Sequence, residues 1–194
     1  MEHGMTMANL FYVIGASGAG KDSLIHYIRE RMPVGIPVVF AHRYITRPAD
    51  AGGENHVALN EREFLLRLRS GCYAMNWFSH ETHYGIGTEI NAWLAQGLDV
   101  VVNGSRAYLG EAAKLYPNLV PVLISVNPEV LRERLLIRGR ETSEQVNQRL
   151  LQANQVEKEL RHPHLLKVDN NELLQNAGES LLNAIHERVR NKCA

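Results

Sequence analysis

The sequence predicts an α/β fold with a mainly parallel sheet. Three observations carry that prediction. Leu10 to Ile14, Asp99 to Asn103 and Leu119 to Val126 are short runs, apolar on both faces, as strands buried between two layers are. Between them lie stretches with helical periodicity, bounded by caps and breakers. The first such junction is strand, glycine loop, helix: Gly15-Ala16-Ser17-Gly18-Ala19-Gly20-Lys21-Asp22-Ser23 joins Leu10–Ile14 to an apolar pattern at Leu24, Ile25, Tyr27 and Ile28.

That loop has the spacing of a phosphate-binding loop, G-x-x-x-x-G-K. Its glycines let the backbone curl so that successive N–H groups face an anion. The following helix adds its positive end. Lys21 supplies a mobile charge for the β- and γ-phosphates of a nucleotide, and Gly15 to Ser23 form the candidate nucleotide-binding segment. The residue after the lysine is ordinarily Ser or Thr, whose hydroxyl holds magnesium; here it is Asp22, followed by Ser23. Both are candidate magnesium ligands, since a carboxylate is a hard oxygen donor.

The elements follow in order. A helix is predicted from Lys21 to Arg31, stopped by Pro33, then a strand at Val38 to Ala41. Arg43 to His56 reads as irregular, because of Pro48 and the glycine pair at 52–53. Asn60 with Glu63 is a capping box for a helix that ends before Gly71. Tyr73 to Phe78 reads as a short strand, His83 to Gly87 as a turn, and Thr88 to Gln96 as a helix. The strand at 99–103 exits through Gly104-Ser105-Arg106 into a helix reaching Lys114. After Leu119 to Val126, Asn127 and Pro128 open another helix. Thr142 with Gln145 caps a long one running to about Leu160. Leu165 to Val168 is the last strand, and a terminal helix ends near Arg190.

At 194 residues, 45% hydrophobic and 22% charged, with zero formal net charge, the chain reads as a single domain spanning 1–194. Neither a nucleic-acid nor a membrane partner is expected. Arginine far outnumbers lysine, which favours local anion sites. Cys72 and Cys193 form no metal spacing and no disulfide framework. His80-Glu81-Thr82-His83 is not the H-E-x-x-H zinc motif, and His162-Pro163-His164 reads as a surface turn. Trp77 with Phe78 reads as core. Met1 to Asn9 reads as a disordered lead-in without the apolar core of a signal peptide, so the cytoplasm is the expected location. The state of assembly stays open, with a homodimer among the options.

From about Phe11 to Arg188 the chain resembles the guanylate kinase family of P-loop kinases. Gly15 to Lys21 match the family's phosphate loop. Thr46-Arg47-Pro48 and Gly53-Glu54 match its acceptor-phosphate segment, and Tyr84-Gly85 its Y-G turn. Arg134, Arg138 and Arg140 fall in its lid, Arg149 on the helix that follows, and Val168 to Asn171 in its closing segment. The resemblance implies a core (10–42, 98–137, 148–194), an acceptor-binding insertion at about 43–97 and a lid at about 138–147.

The departures are specific. Guanylate kinases read guanine with carboxylates, but here Asn76 precedes Trp77, and Asn103-Gly104-Ser105 stands where the family has Glu-Ile-Asp. Neutral groups accept poorly from the paired donors of guanine. With the G-K-D variant, this resembles the branch that phosphorylates ribose 1,5-bisphosphate with ATP in bacterial phosphonate utilisation, giving 5-phosphoribosyl 1-diphosphate. The resemblance implies Lys21, Arg138 and Arg140 as catalytic residues. It implies Arg43, Arg47, Glu54, Tyr84, Ser105, Arg106 and Arg149 as acceptor-binding residues, with magnesium at Asp22 or Ser23. Two rivals remain at this point: a nucleoside monophosphate kinase of altered base specificity, and a non-catalytic binding module.

Overall fold

The computed structural model describes residues 7–51, 54–139, 142, 144–151 and 160–193, without the side chains of 51, 138 and 191–193. A five-stranded sheet has the order β2-β7-β1-β8-β9. Its strands are β1 (Leu10–Gly15), β2 (Val38–Phe40), β7 (Asp99–Asn103), β8 (Leu119–Ser125) and β9 (Leu166–Asp169). All its pairings are parallel.

Strand alternation divides the core into two layers. Phe11 and Val13 point to the face covered by α1 (Lys21–Arg31), α5 (Pro128–Arg138) and α7 (Leu174–Cys193), where they meet Leu24, Ile28, Leu131 and Leu181. Leu10, Tyr12 and Ile14 point to the opposite face, where they meet Ile90 of α3 (Glu89–Ala95) and Leu109 and Ala112 of α4 (Leu109–Leu115). Burial on both faces explains why these strands read as continuous apolar runs rather than alternating ones.

A second, four-stranded sheet has the order β4-β3-β6-β5, from β3 (Arg43–Ile45), β4 (Val57–Ala58), β5 (Tyr73–Ser79) and β6 (Thr82–Gly87). Helix α2 (Glu61–Arg69) lies within its sequence, capped as predicted by the Asn60 side chain, which accepts from the Glu63 N–H at 2.8 Å. Two expectations fail here. Arg43 to Ile45 is not irregular but a strand paired antiparallel with β6. His83 to Gly87 is not a turn but β6 itself; the chain reverses at His80 and Glu81, both with positive φ (49° and 57°). Glycine was the misleading signal. A Cβ at Gly85 would stand 2.7 Å from the Tyr73 ring, so this glycine serves close packing across the sheet and not a reversal. Phe78 is also not core: it is 61% exposed, whereas Trp77 is half-buried.

Asn127 starts α5 without a side-chain cap; its backbone N–H donates instead to Asn171 Oδ1 at 2.6 Å. The Thr142–Gln145 box forms as expected, each side chain accepting from the other's backbone N–H, and residues 144–151 are helical (α6). The rest of that predicted helix, at 152–159, lies outside the described residues. Among the described residues no helix is long and apolar enough to cross a membrane, and no cluster of His, Cys, Asp or Glu could by itself hold a metal ion.

Candidate active site

The carboxyl ends of parallel strands, where α/β sheets bind ligands, bring the predicted loops together. The phosphate loop leaves β1 at Gly15 and enters α1 through Gly20, whose φ is 87°. A Cβ there would meet Nδ2 of Asn170 at 2.5 Å, so both the backbone twist and the space demand glycine. Asn170, just past β9 and 3% exposed, donates from Nδ2 to the Ala19 carbonyl at 2.8 Å, and its own N–H donates to Ser125 O at 2.9 Å. It thereby fixes the loop to the far side of the sheet. This role is not legible in the sequence, although Asn170 falls in a segment that the family resemblance marks.

Lys21 Nζ donates to the carbonyls of Gly15 (3.0 Å) and Ala16 (3.1 Å), so the ammonium sits inside the loop's curve. Burial pushes its pKa down to about 8; Asp22 partly offsets this, and the charges of Arg43 and Arg106 add to it. Arg106, half-exposed after β7, is therefore close enough for its charge to be felt at the lysine. Arg47 is half-buried, with its Nε unpaired among the described residues.

Arg43 and Glu54 form a two-point ion pair. Arg43 Nε donates to Glu54 Oε1 at 2.7 Å and Nη2 donates to Oε2. Both side chains are largely buried, 12% and 10% exposed. Burial opposes the charge on Arg43, but Glu54, with Asp22 behind it, outweighs that and raises its pKa. The guanidinium also lies over the Tyr84 ring at 5.1 Å, and Tyr84 stacks on Trp77 (5.6 Å, 6°). Trp77 packs against the core, as expected, and also extends the stack beneath Tyr84 and Arg43.

Two supports were missed from the sequence. The ring nitrogens of His56, buried behind the loop, face the carbonyls of Glu54 (3.0 Å) and Arg47 (3.1 Å), fixing the segment that carries both residues. The Ser105 N–H donates to the Tyr12 hydroxyl at 3.0 Å, and burial holds that phenol far above its ordinary pKa, as a neutral hydroxyl. Neither was legible: Tyr12 and Ser105 lie 93 positions apart, and the His56 contacts, only two and nine positions long, depend on a loop conformation that no local motif marks.

Asp22 and Asn103, which the sequence presented as separate departures, are in contact: Asn103 Nδ2 donates to Asp22 Oδ1 at 2.6 Å. The same Oδ1 lies 3.9 Å from Arg43 Nη2. Asp22 and Asn103, together with Arg29, His26, Glu54 and Asn55, line a cavity of about 290 Å³. The donor set fits magnesium: Asp22 is 35% exposed, Ser23 follows it on the surface of the helix start, and magnesium takes few protein oxygens beside phosphate and water.

The remaining predicted residues lie on α5 and α6 or outside the described residues. Arg149 lies half-buried on α6. The Arg134 side chain, on α5, has a buried unpaired Nη1 among the described residues. Arg138 ends α5, but its side chain, like the whole of Arg140, lies outside the described residues.

No family model matches the chain. Among solved structures, guanylate kinase from Anaplasma phagocytophilum superposes with a TM-score of 0.67 over 94% of this chain and 87% of that one, at 14% identity. A gluconokinase from Sinorhizobium meliloti gives 0.50 over 95% of each, at 20% identity. At such identities the likeness is one of fold. The chain is 52% identical to the ribose 1,5-bisphosphate phosphokinase PhnN of Psychromonas ingrahamii over 93% of its length and 91% of the relative's. It is equally similar, at 52%, to that of Thiobacillus denitrificans over 98% of its length and 99% of the relative's. A P-loop kinase fold, a complete glycine loop around Lys21 and half-identity over nearly the full length place this chain in the ribose 1,5-bisphosphate phosphokinase family.

Proposed function

We propose that this protein transfers the γ-phosphoryl group of ATP to the 1-phosphate of ribose 1,5-bisphosphate, releasing ADP and 5-phosphoribosyl 1-diphosphate. The observation that carries the reading is near-full-length identity of 52% to relatives of that name, in a chain whose phosphate loop is intact. Phosphonate catabolism is the proposed setting.

The chemistry asks little of a base. An acceptor phosphate with a second pKa near ~6 is already a nucleophile at neutral pH. An oxygen of that phosphate forms a bond to the γ-phosphorus as the bond to the β-bridging oxygen breaks, and ADP leaves with the electron pair. The protein's task is to hold two polyanions in line and to offset their charge. Lys21 turns from the Gly15 and Ala16 carbonyls to the donor phosphates, against the N–H groups of residues 15–23. Arg47, Arg106 and Arg149 bind the acceptor phosphates. Arg43, its charge shared with Glu54, and Tyr84 and Ser105 shape the sugar site. Arg138 and Arg140 close over the transferring group from a lid at 138–147, with residues 43–97 as the acceptor-binding part. Magnesium held at Asp22 or Ser23 would supply charge neutralisation on the donor phosphates.

The test is ADP release with ATP and magnesium, run in parallel on ribose 1,5-bisphosphate, GMP, AMP and UMP. Turnover on the sugar bisphosphate with formation of a diphosphorylated sugar is the expected result. Turnover on a nucleotide alone would overturn the acceptor assignment and keep the kinase.

A further inference from the structure

We propose that Asp22 and Asn103 act as one positioning pair, which ties the helix after the phosphate loop to the acceptor side and sets how tightly the acceptor is held. The proposal rests on the kinase reading above and adds a role for two residues within it.

Asn103 closes β7, opposite Val13 in the register, and is 4% exposed. An amide buried that deeply needs partners. Among the described residues the side chain has one, Asp22 Oδ1 at 2.6 Å, while its own Oδ1 has none. A carboxylate can only accept, so the amino end of the amide must face Asp22 and the carbonyl end must face away. Asp22 alone therefore fixes the orientation of Asn103.

The dependence runs both ways. A carboxylate at position 103 would bring two negative oxygens within hydrogen-bond distance of each other, with no donor between them. An aspartate directly after the lysine is thus incompatible with a carboxylate at the end of β7, and here it meets a neutral donor. The two unusual residues are one feature and not two.

The pair also reaches the acceptor side. The oxygen that accepts from Asn103 lies 3.9 Å from Arg43 Nη2, the nitrogen that Glu54 also engages. Asp22, Asn103 and Glu54 line the same cavity. A shift of the Asp22 carboxylate therefore moves both the amide and the field around the guanidinium. Asp22 sits at the start of α1, so the position of the donor loop and the shape of the acceptor cavity are coupled through it.

The experiment compares wild type with Asn103→Asp, Asp22→Asn and the exchanged pair Asp22→Asn/Asn103→Asp. Each protein is assayed for KM and kcat on ribose 1,5-bisphosphate, affinity for a fluorescent ATP analogue, and thermal midpoint. Asn103→Asp should raise the acceptor KM at least tenfold and leave ATP affinity within about threefold. Asp22→Asn keeps an oxygen for Asn103 but removes the charge near Arg43, and should fall between. The exchanged pair restores one donor facing one carboxylate and should recover most of the loss in acceptor KM. An exchanged pair no better than Asn103→Asp would overturn the proposal, as would acceptor KM unchanged while ATP affinity falls. If Asn103→Asp does not fold, recovery of folding and acceptor KM in the exchanged pair supports the proposal, and an exchanged pair that also fails to fold, or that folds without recovering acceptor KM, overturns it. Wild type that uses GMP in place of the sugar would overturn the acceptor reading alone, and the same comparison would then be made with GMP.

Discussion

Lys21 is half-buried within the phosphate loop, beside the like charges of Arg43 and Arg106. In the proposed reaction its ammonium meets the donor phosphates, and burial lowers its pKa to about 8. Below that pH the free protein presents a cation; above it, a neutral amine. Affinity for ATP should therefore hold from pH 6 to 7.5 and fall as the pH rises past 8. Bound phosphates raise the pKa again, so kcat should break at higher pH than kcat/KM. Parallel titrations of nucleotide affinity and turnover would check this; a flat affinity up to pH 10 would contradict it. Replacing Lys21 with Ala should lower kcat by about 10²–10³-fold, the scale of losing one charged contact to a transition state, with circular dichroism unchanged. This residue was legible in the sequence because G-x-x-x-x-G-K is a local pattern whose chemistry depends on neighbours in the chain. Asn103 was not assigned a role, because its partner is 81 positions away.

Supports of the site belong to whole elements. Asn170 ties the end of β9 to the phosphate loop through the Ala19 carbonyl. Asn170→Ala leaves that carbonyl without a partner in a dry setting and should cost about 1–3 kcal/mol of stability, with weaker ATP binding; chemical denaturation and nucleotide titration measure the two. In the β5–β6 hairpin, Trp77 lies directly opposite Tyr84, and Tyr84 lies under Arg43. Trp77→Ala removes the stacking surface, so the acceptor KM should rise several-fold with ATP affinity unchanged. Both effects on ATP together would instead mark Trp77 as structural. The capping boxes at Asn60 and Thr142 could be read ahead of the structure, because a cap is a contact over three residues. The hairpin could not: Gly85 and Gly87 suggested a reversal, and only the Tyr73 ring across the sheet accounts for Gly85.

The whole molecule depends on the two apolar layers that sandwich the parallel sheet. Phe11 is fully buried between β1 and the helices over it. Phe11→Ala should cost about 3–5 kcal/mol and lower the urea midpoint for the entire chain. A separate, unshifted transition for residues 43–87 would show that the second sheet unfolds on its own. The same construction serves function. Strands running in parallel deliver their carboxyl ends, and so Gly15, Asn103 and Asn170, to one edge.

By itself the sequence determined the α/β class, the positions of the core strands along the chain, the phosphate loop with Lys21, and the resemblance to a kinase family. These rest on periodicity, on local caps and on a motif whose residues are consecutive. Tertiary structure decided what lies across long separations. It turned Arg43–Ile45 and Thr82–Gly87 into paired strands, because a strand needs a partner that no local pattern reveals. It used Glu54 to hold Arg43, and it made Asp22 and Asn103 a single feature, because a hydrogen bond of 2.6 Å depends on where β7 ends relative to α1.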